Sequence, residues 1–176
     1  MNGFGRIFRL SILGESHGNG VGMLVDGCPS GLSLTVDDFL PDLMRRQGGN
    51  RAGTTPRKEA DVPTLLSGVF NDRTTGAPLM IWFPNENTRS KDYDKVKDLP
   101  RPGHADLTGK LKFGGFNDYR GGGHFSGSLT ASLVAAGVVA KKLLRGVTID
   151  AEVVSVHGSK DIDAEVAAAL NHLFAW

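Results

Sequence analysis

The chain has 176 residues, 40% of them hydrophobic, which is enough for one well-buried core. Its 20 Lys and Arg against 19 Asp and Glu give a net charge of +1, which does not support sequence-independent binding of nucleic acid. The single cysteine, Cys28, excludes an intramolecular disulfide and a cysteine-built zinc site, and no apolar run approaches the ~20 residues that span a bilayer.

Glycine is the residue type that stands out in this composition. The 24 glycines are about twice the average usage, and they cluster in GESHGNGVG, RRQGGNRAG and KFGGFNDYRGGGHFSGS rather than recurring at a fixed period. This clustering predicts loops in which the backbone adopts positive φ or approaches something closely. Polar and glycine residues also interrupt any signal-peptide core in the opening MNGFGRIFRLSILGESHG, so we expect a cytoplasmic location.

The first predicted elements are strands and one short helix. Residues 21–28 (VGMLVDGC) predict a strand. Thr35, followed by acidic residues, is typical of a helix start, and Pro41 predicts either a kink or the start of a new helix. Residues 64–70 and 79–83 predict an antiparallel pair joined by the turn-rich NDRTTGAP.

The clearest predicted helix carries an apolar repeat at spacings of three or four residues, formed by Leu129, Leu133, Gly137, Ala140 and Leu144. Its many small residues predict burial in a close helix–helix contact. Residues 147–156 then predict a strand, and residues 163–170 a helix. The predicted fold class is therefore α+β, with antiparallel sheet and packed helices.

Three short segments combine glycine and histidine with a hydroxyl or a charge. In the first, residues 14–18, the flanking glycines predict a tight turn that presents Glu15, Ser16 and His17 to a cleft. Adjacent Ser16 and His17 are not by themselves a nucleophile–base pair. A turn with a surface histidine is the alternative of equal weight.

In the second segment, residues 101–106, a Pro-Gly bend holds Arg101, His104 and Asp106 in fixed relative positions. A cation beside a histidine suits an anionic substrate, and Asp106 is a candidate to orient the imidazole tautomer. The alternative is a solvated charged loop.

The third segment, residues 118–128, runs into the clearest helix. Successive backbone N–H groups of a glycine loop at a helix N-terminus form an anion site, to which Arg120 and His124 would add charge. Phe125 could stack on a planar ring. Helix capping by Ser126 or Ser128 is the alternative, and it is compatible with binding.

These motifs, taken in order with six others, resemble the chorismate synthase family along nearly the whole chain. The matching segments are GRIFRLSILGESHG, VDGCPSGL, DLMRRQGG, LLSGVF followed by TTGAP, ENTRSKDY, RPGHAD, and DYRGGGHFSG leading into AAGVVAKKLL. The resemblance implies one domain over residues 1–176 that corresponds to the N-terminal half of the family chain. It also implies a sandwich with helices packed between antiparallel sheets, and a homotetramer at full length.

The function implied by this resemblance is that of a carbon–oxygen lyase of the shikimate pathway. It removes phosphate from 5-enolpyruvylshikimate 3-phosphate to give chorismate and requires reduced FMN, with NADPH only as a source of reduction. No metal, nucleic-acid or membrane partner is expected.

The resemblance also assigns roles to individual residues. His17 and His104 act near the flavin and the substrate, one in protonating the reduced flavin and the other as phosphate leaves, and Ser16 and Ser126 support the site. The flavin-contacting stretch is His124, Phe125 and Ser126, and the basic residues for nucleotide or substrate phosphate are Arg46 and Arg51.

Two departures from the family pattern lead to alternative hypotheses for the function of this chain. The second half of the family chain is missing, and Ser128 stands where the family normally carries an arginine, whose loss removes about 1.5–3 kcal/mol of charge-assisted hydrogen bonding. A non-catalytic FMN- or phosphate-binding fragment or subunit is therefore the second hypothesis. A zinc hydrolase that uses His17, His104 and His124 is the third.

Overall fold

A computed structural model describes residues 2–47, 61–85, 93 and 97–173. The chain divides into two compact units. Unit 1 comprises residues 1–46 and 60–145, and unit 2 comprises residues 47–59 and 146–176. All three glycine- and histidine-bearing segments belong to unit 1.

The described part of unit 1 contains a five-stranded antiparallel sheet and a separate two-stranded hairpin. The strands are β1 (Gly3–Phe4), β2 (Arg9–Gly14), β3 (Gly20–Asp26), β4 (Thr64–Ser67), β5 (Val69–Phe70), β6 (Arg73–Thr74) and β7 (Leu79–Pro84). The order across the sheet is β1-β2-β3-β7-β4, and β5 pairs with β6 in the hairpin. The predicted strand at 21–28 and the predicted antiparallel sheet are thus confirmed.

The predicted strand over residues 64–70 is divided at Gly68. Residues 64–67 pair with β7 as expected, whereas residues 69–70 turn into the separate hairpin. Gly68 has a φ of +83°, and a Cβ there would collide with the backbone of Leu79. The positive φ bends the chain out of the sheet, which the apolar pattern alone does not reveal.

One face of the sheet forms the core of unit 1. The register places Val21, Met23 and Val25 of β3 opposite Phe83, Ile81 and Leu79 of β7. All six side chains are buried, because residues two apart in a strand point to the same face.

Helices α1 (Leu40–Arg46) and α3 (Thr130–Leu143) contact each other, and α3 packs on β3 of this sheet. Lys141 Nζ of α3 donates to the Asp42 carboxylate of α1 at 2.9 Å. Pro41 lies in the first turn of α1, where its missing N–H costs nothing, so of the two predicted outcomes at this proline the structure shows the start of a new helix. The predicted helix–helix contact is also confirmed.

The buried face of α3 differs from the predicted apolar repeat. Small and β-branched residues form it: Ala131, Ser132, Ala135, Ala136, Val138 and Val139. Leu133, by contrast, is 43% exposed, and Leu144 is 44% exposed. Small side chains permit α3 to approach the sheet and α1 closely. The face with small residues is therefore buried in preference to the face with leucines.

Residues 120–143 are long and apolar enough to meet a length-and-composition test for a membrane span. Only residues 130–143 are α-helical, however, and positive-φ glycines interrupt the segment before them. A 14-residue α-helix is shorter than the ~20 residues that cross a bilayer. The segment is therefore best explained as the core helix of unit 1.

In unit 2, the predicted helix at 163–170 is confirmed as α4 (Ile162–Leu173), whereas the predicted strand over residues 147–156 is wrong. The described backbone there has no regular structure apart from an isolated bridge between Val156 and Ser159. A strand requires a neighbour to take its N–H and C=O groups along its length, and in the described residues this segment pairs with no other strand. The remaining described helix, α2 (Asp106–Lys112), belongs to unit 1.

Candidate functional site

The first and third glycine- and histidine-bearing segments are in direct contact. The turn that carries Ser16 and His17 connects β2 to β3, and the backbone N–H of Ser16 donates to the carbonyl of Gly123 at 3.1 Å. The His17 ring lies so close to Gly121 that a Cβ at that position would collide with it. Glycine is therefore required at position 121 by the approach of the histidine, in addition to its φ of +57°.

His17 is buried, with 6% exposure, so the alternative of a surface histidine in this turn is wrong. Its Nδ1 lies 3.1 Å from the hydroxyl oxygen of Ser16. The edge of the ring meets Tyr93, with ring centroids 4.9 Å apart and planes at 74°. A buried imidazole held by a hydroxyl and an aromatic ring has a defined orientation, as proton transfer requires.

Tyr93 links the first segment to the second. The guanidinium carbon of Arg101 lies 5.6 Å from the centroid of the Tyr93 ring. Arg101 also donates to both carboxylate oxygens of Asp106, at 2.8 and 3.0 Å, and its backbone N–H donates to the same carboxylate at 3.0 Å. The prediction that the Pro-Gly bend holds these charges in fixed positions is confirmed.

His104 is exposed, and its orienting partner differs from the prediction. Nδ1 of His104 lies 3.1 Å from the carbonyl oxygen of Pro102, not against Asp106. Because a carbonyl oxygen can only accept, Nδ1 carries the proton and Nε2 is the acceptor of the neutral ring. Asp106 is instead occupied by Arg101, whose guanidinium binds a carboxylate in the bidentate geometry that a neighbouring histidine cannot match.

The Arg101 guanidinium, by donating to the Asp106 carboxylate, lowers the pKa of Asp106 from 3.8 to about 2. The same hydrogen bonds raise the pKa of Arg101. The Asp106 side chain is 20% exposed and that of Arg101 is 31% exposed, so solvent screens the pair only in part. Both groups are charged throughout the physiological range.

We expect Asp106→Asn to lower the free energy of unfolding by roughly 1–2 kcal/mol near neutral pH. The folded pKa lies below the unfolded value, so the stabilisation is present above about pH 4 and is lost as pH falls towards the folded pKa. Urea unfolding from neutral pH to about pH 3 should therefore show a wild-type advantage that declines with pH. Asp98→Asn, at an exposed carboxylate paired with Lys110, is the control and should have little effect. An advantage that does not vary with pH would contradict this account.

The third segment contains three consecutive glycines in the left-handed region, with φ values of +57°, +85° and +54° at Gly121, Gly122 and Gly123. The predicted positive-φ loop is confirmed. Beyond it, Ser126 Oγ accepts from the backbone N–H of Ser128 at 3.2 Å and caps the short 3-10 turn before α3. The capping role foreseen for Ser126 is thus confirmed, and its role in supporting a flavin site stays a prediction.

His124 and Phe125 follow the glycines and point to different neighbours. Nδ1 of His124 donates to the carbonyl of Gly14 at 2.8 Å, which ties the loop to the end of β2. Phe125 packs against Phe113, with ring centroids 5.9 Å apart, and Lys112 Nζ lies 5.7 Å from the Phe125 ring centroid. Arg120 is paired with Asp118 at 2.7 Å, and the Arg120 guanidinium lowers the pKa of that carboxyl.

Arg46 connects α1 to the start of α3. Its guanidinium donates to the Asp61 carboxylate at 2.6 Å, to Thr130 Oγ1 at 3.1 Å and to the carbonyl of Gly127 at 3.3 Å. These contacts are structural, and the predicted phosphate role of Arg46 stays a prediction. Arg51, predicted with it, lies outside the described residues.

Two cavities adjoin at Asn117, which lines both of them. The first, which we name the cationic cavity, has a volume of about 290 Å³ and is lined by Tyr93, Lys97, Arg101, Lys110 and Tyr119, with Asp98 and Asp106. The second, the aromatic cavity, has a volume of about 300 Å³ and is lined by Phe113, Phe116, Phe125 and His124, with Glu15 and Asp118. Cations suit an anionic ligand, and clustered aromatic rings suit a planar one.

Sequence reasoning missed several residues of these walls. Tyr93, Lys97 and Lys110 are not among the candidate site residues of the sequence analysis, although the alternation of Lys and Asp around Tyr93 and Lys97 in SKDYDKVKD is a signal available in the sequence. Phe113 belongs to no candidate motif, and only the fold brings its ring against that of Phe125. In the described residues, no group of three or more His, Cys, Asp or Glu side chains could hold a metal ion, so the structure gives no support to a zinc site built from His17, His104 and His124.

Comparison with known proteins adds independent information. The chain matches the chorismate synthase family over residues 8–173. A chorismate synthase from Chitinophaga pinensis is 58% identical over 171 residues, which cover 97% of this chain and 51% of that protein. One from Methanocaldococcus jannaschii is 52% identical over 144 residues, covering 82% of this chain and 38% of that protein.

A solved structure gives the same result. The crystal structure of a chorismate synthase superposes with a TM-score of 0.56 and 31% sequence identity, covering 79% of this chain and 34% of that chain. The α+β class with antiparallel sheet and packed helices is thus confirmed. The chain spans about half the length, or less, of the relatives it matches.

Proposed function

Because the chain belongs to the chorismate synthase family, we propose that it provides the flavin- and phosphate-binding part of a lyase that eliminates phosphate from 5-enolpyruvylshikimate 3-phosphate to give chorismate. Reduced FMN is the proposed cofactor. The observation that carries the proposal is that the aromatic and cationic cavities share Asn117, while Tyr93 of the cationic cavity contacts the buried His17.

The aromatic cavity fits the planar ring system of a flavin. Phe113 and Phe125 provide apolar ring surface, and Gly109 lies under Phe125, where an added Cβ would press on the ring. Stacking on such side chains binds and orients a planar ligand and excludes water from one of its faces. When bound, reduced FMN supplies electron density transiently to an elimination that has no net redox change.

The cationic cavity suits the phosphate that leaves. Lys97, Arg101 and Lys110 carry charge at its wall, although Arg101 is shared with Asp106, and Lys110 Nζ lies 3.6 Å from the exposed Asp98 carboxylate. Charge-assisted hydrogen bonds stabilise a phosphate group as negative charge develops on it. The two lysines therefore offer a cationic surface in a chain that has Ser128 where the family normally has arginine.

The two histidines are placed differently, as separate roles require. His17 is buried between Ser16, Gly121 and Tyr93, so it can hold a proton in a site that excludes water. His104 lies on an exposed loop with Nδ1 protonated, which leaves Nε2 as the atom that can accept or, once the ring is charged, deliver a proton. We propose that one of these two histidines delivers a proton at the flavin and that the other assists the departure of phosphate.

Phe125→Ala tests the aromatic cavity. We expect reduced FMN to bind about 10-fold more weakly, since stacking on one aromatic ring is lost. The measurement is an anaerobic titration of the chain with chemically reduced FMN. Phe70→Ala, at an exposed phenylalanine of the β5–β6 hairpin, is the matched control and should leave the affinity unchanged. Equal affinities for the two variants, or no saturable binding by the wild-type chain, would refute the flavin assignment.

Three further properties are proposed from family membership together with the sequence: a cytoplasmic location, a homotetramer at full length, and NADPH as a source of reducing equivalents. The substrate is a small molecule, and neither nucleic acid nor a membrane is proposed as a partner.

A further inference from the structure

The side-chain amide of Asn85 lies at the turn that carries His17. Nδ2 of Asn85 is 3.0 Å from the carbonyl oxygen of Glu15, 3.0 Å from that of Ser16 and 2.9 Å from that of Gly18. The backbone N–H of Asn85 also donates to the carbonyl of Asn19 at 3.2 Å. Asn85, which lies outside the turn, therefore contacts four of the five backbone carbonyl groups of residues 15–19.

Asn85 is itself held by the sheet. It follows Pro84, the last residue of β7, and Pro84 lies opposite Gly20, the first residue of β3. The turn therefore lies just before β3 and Asn85 lies just after β7, at the same end of these two paired strands. Their separation is set by the register of β3 against β7 and does not depend on a flexible connection.

The chemistry at this point requires a donor. Carbonyl oxygens only accept hydrogen bonds, so three of them that converge on one position repel each other unless a donor lies between them. The amide NH2 of asparagine has two hydrogens, and at least one of them is shared between two oxygens. A group of the same size without N–H hydrogens would add repulsion instead of removing it.

The carbonyls that Asn85 binds flank His17. The peptide group between Ser16 and His17 and the peptide group after Gly18 are both fixed by it. Two further bonds fix the turn, from the N–H of Gly18 to the Glu15 carbonyl and from the N–H of Ser16 to the Gly123 carbonyl, both at 3.1 Å. With the peptide planes fixed, the direction of the Cα–Cβ bond of His17 is fixed as well.

We propose that Asn85 is a positioning residue, whose amide donor holds the 15–18 turn so that the His17 ring lies between Ser16, Gly121 and Tyr93. The inference deepens the proposed function, on which it rests for the catalytic role of His17. The orientation of the ring is a property of the chain alone and can be measured without turnover.

Two substitutions separate a donor from a space-filling side chain. Asn85→Asp keeps the size and shape but replaces NH2 with an oxygen, whereas Asn85→Ala removes the whole group. The readout is the NMR signals of the His17 ring nitrogens and ring protons in the full chain, identified by their loss in His17→Gln. A donor role predicts that both variants move these signals and that Asn85→Asp moves them at least as far as Asn85→Ala.

Thr35→Ala is the control for general loss of stability, because it removes a hydroxyl that bonds Asp38 at the start of the 3-10 turn before α1. It should leave the His17 signals in place. Unchanged His17 signals in Asn85→Asp, or equal changes in Thr35→Ala, would overturn the inference. If Asn85→Asp does not fold, unchanged signals in Asn85→Ala have the same consequence. A chain that responds as expected but binds no reduced FMN would refute the proposed function and leave this inference intact.

Discussion

Replacing Gly123 with alanine is expected to destabilise unit 1 by roughly 3–5 kcal/mol. Gly123 has φ +54° and ψ −126°, a combination that is accessible to glycine but not to residues with a Cβ. A Cβ at this position would also collide with the backbone carbonyl of Asp118. Relief of that collision would move the Gly123 carbonyl, which accepts from the N–H of Ser16.

Gly122→Ala is the matched control for this prediction. Gly122 also has a positive φ, +85°, but an added Cβ would meet only the Cβ of Ser126 at 3.9 Å, an ordinary contact. Its cost is therefore the left-handed strain alone, about 1–2 kcal/mol. Urea unfolding of the two variants checks the difference. Equal destabilisation would mean that the collision with Asp118 does not exist and that the loop geometry described here is wrong.

Replacing His17 with alanine is expected to reduce chorismate formation by about 100- to 10,000-fold, the range for loss of a general acid or base. His17 is the buried histidine of the site, and its ring is oriented by Ser16, Gly121 and Tyr93. The assay combines the chain with the part of the Chitinophaga pinensis relative that this chain does not cover, under anaerobic conditions with reduced FMN.

Two controls accompany the His17 variant. His157→Ala removes an exposed histidine of unit 2, and it should retain activity. Binding of reduced FMN by His17→Ala checks that the aromatic cavity has survived, so that a loss of rate is not a loss of folding. Activity within a few-fold of wild type in His17→Ala would remove this residue from the chemistry.

The sequence predicts much of unit 1 because its signals are local. The apolar run in residues 21–28 predicts a strand, and the glycine run at 121–123 indicates positive φ before the structure is known. Pro41 predicts either a kink or the start of a new helix for a steric reason that does not depend on tertiary structure, and the structure shows the second of these. Local rules of this kind transfer directly from sequence to fold.

The errors arise where the outcome depends on a distant neighbour. Residues 147–156 have the composition of a strand, but strand formation requires a pairing partner, which the described residues do not provide. Leu133 was assigned to the buried face of α3 by spacing, yet close packing selects the alanine face.

In the candidate site, too, local signals could be predicted from the sequence, whereas contacts that depend on the fold could not. The residues that carry motifs, such as His17 and His124, could be selected from the sequence, and the structure brings their segments together. Asp106 was expected to orient His104 because the two are close in sequence, but the stronger bidentate donor, Arg101, occupies it. Asn85 carries no motif, and only the pairing of β3 with β7 brings its amide to the turn.

The most direct test of the central claim is anaerobic chorismate formation from 5-enolpyruvylshikimate 3-phosphate and reduced FMN. The chain is measured together with the part of the Chitinophaga pinensis relative that it does not cover, and the intact relative serves as the positive control. If this chain provides the flavin- and phosphate-binding part of the lyase, the mixture forms chorismate. A mixture that forms none, under conditions in which the intact relative is active, would contradict the account.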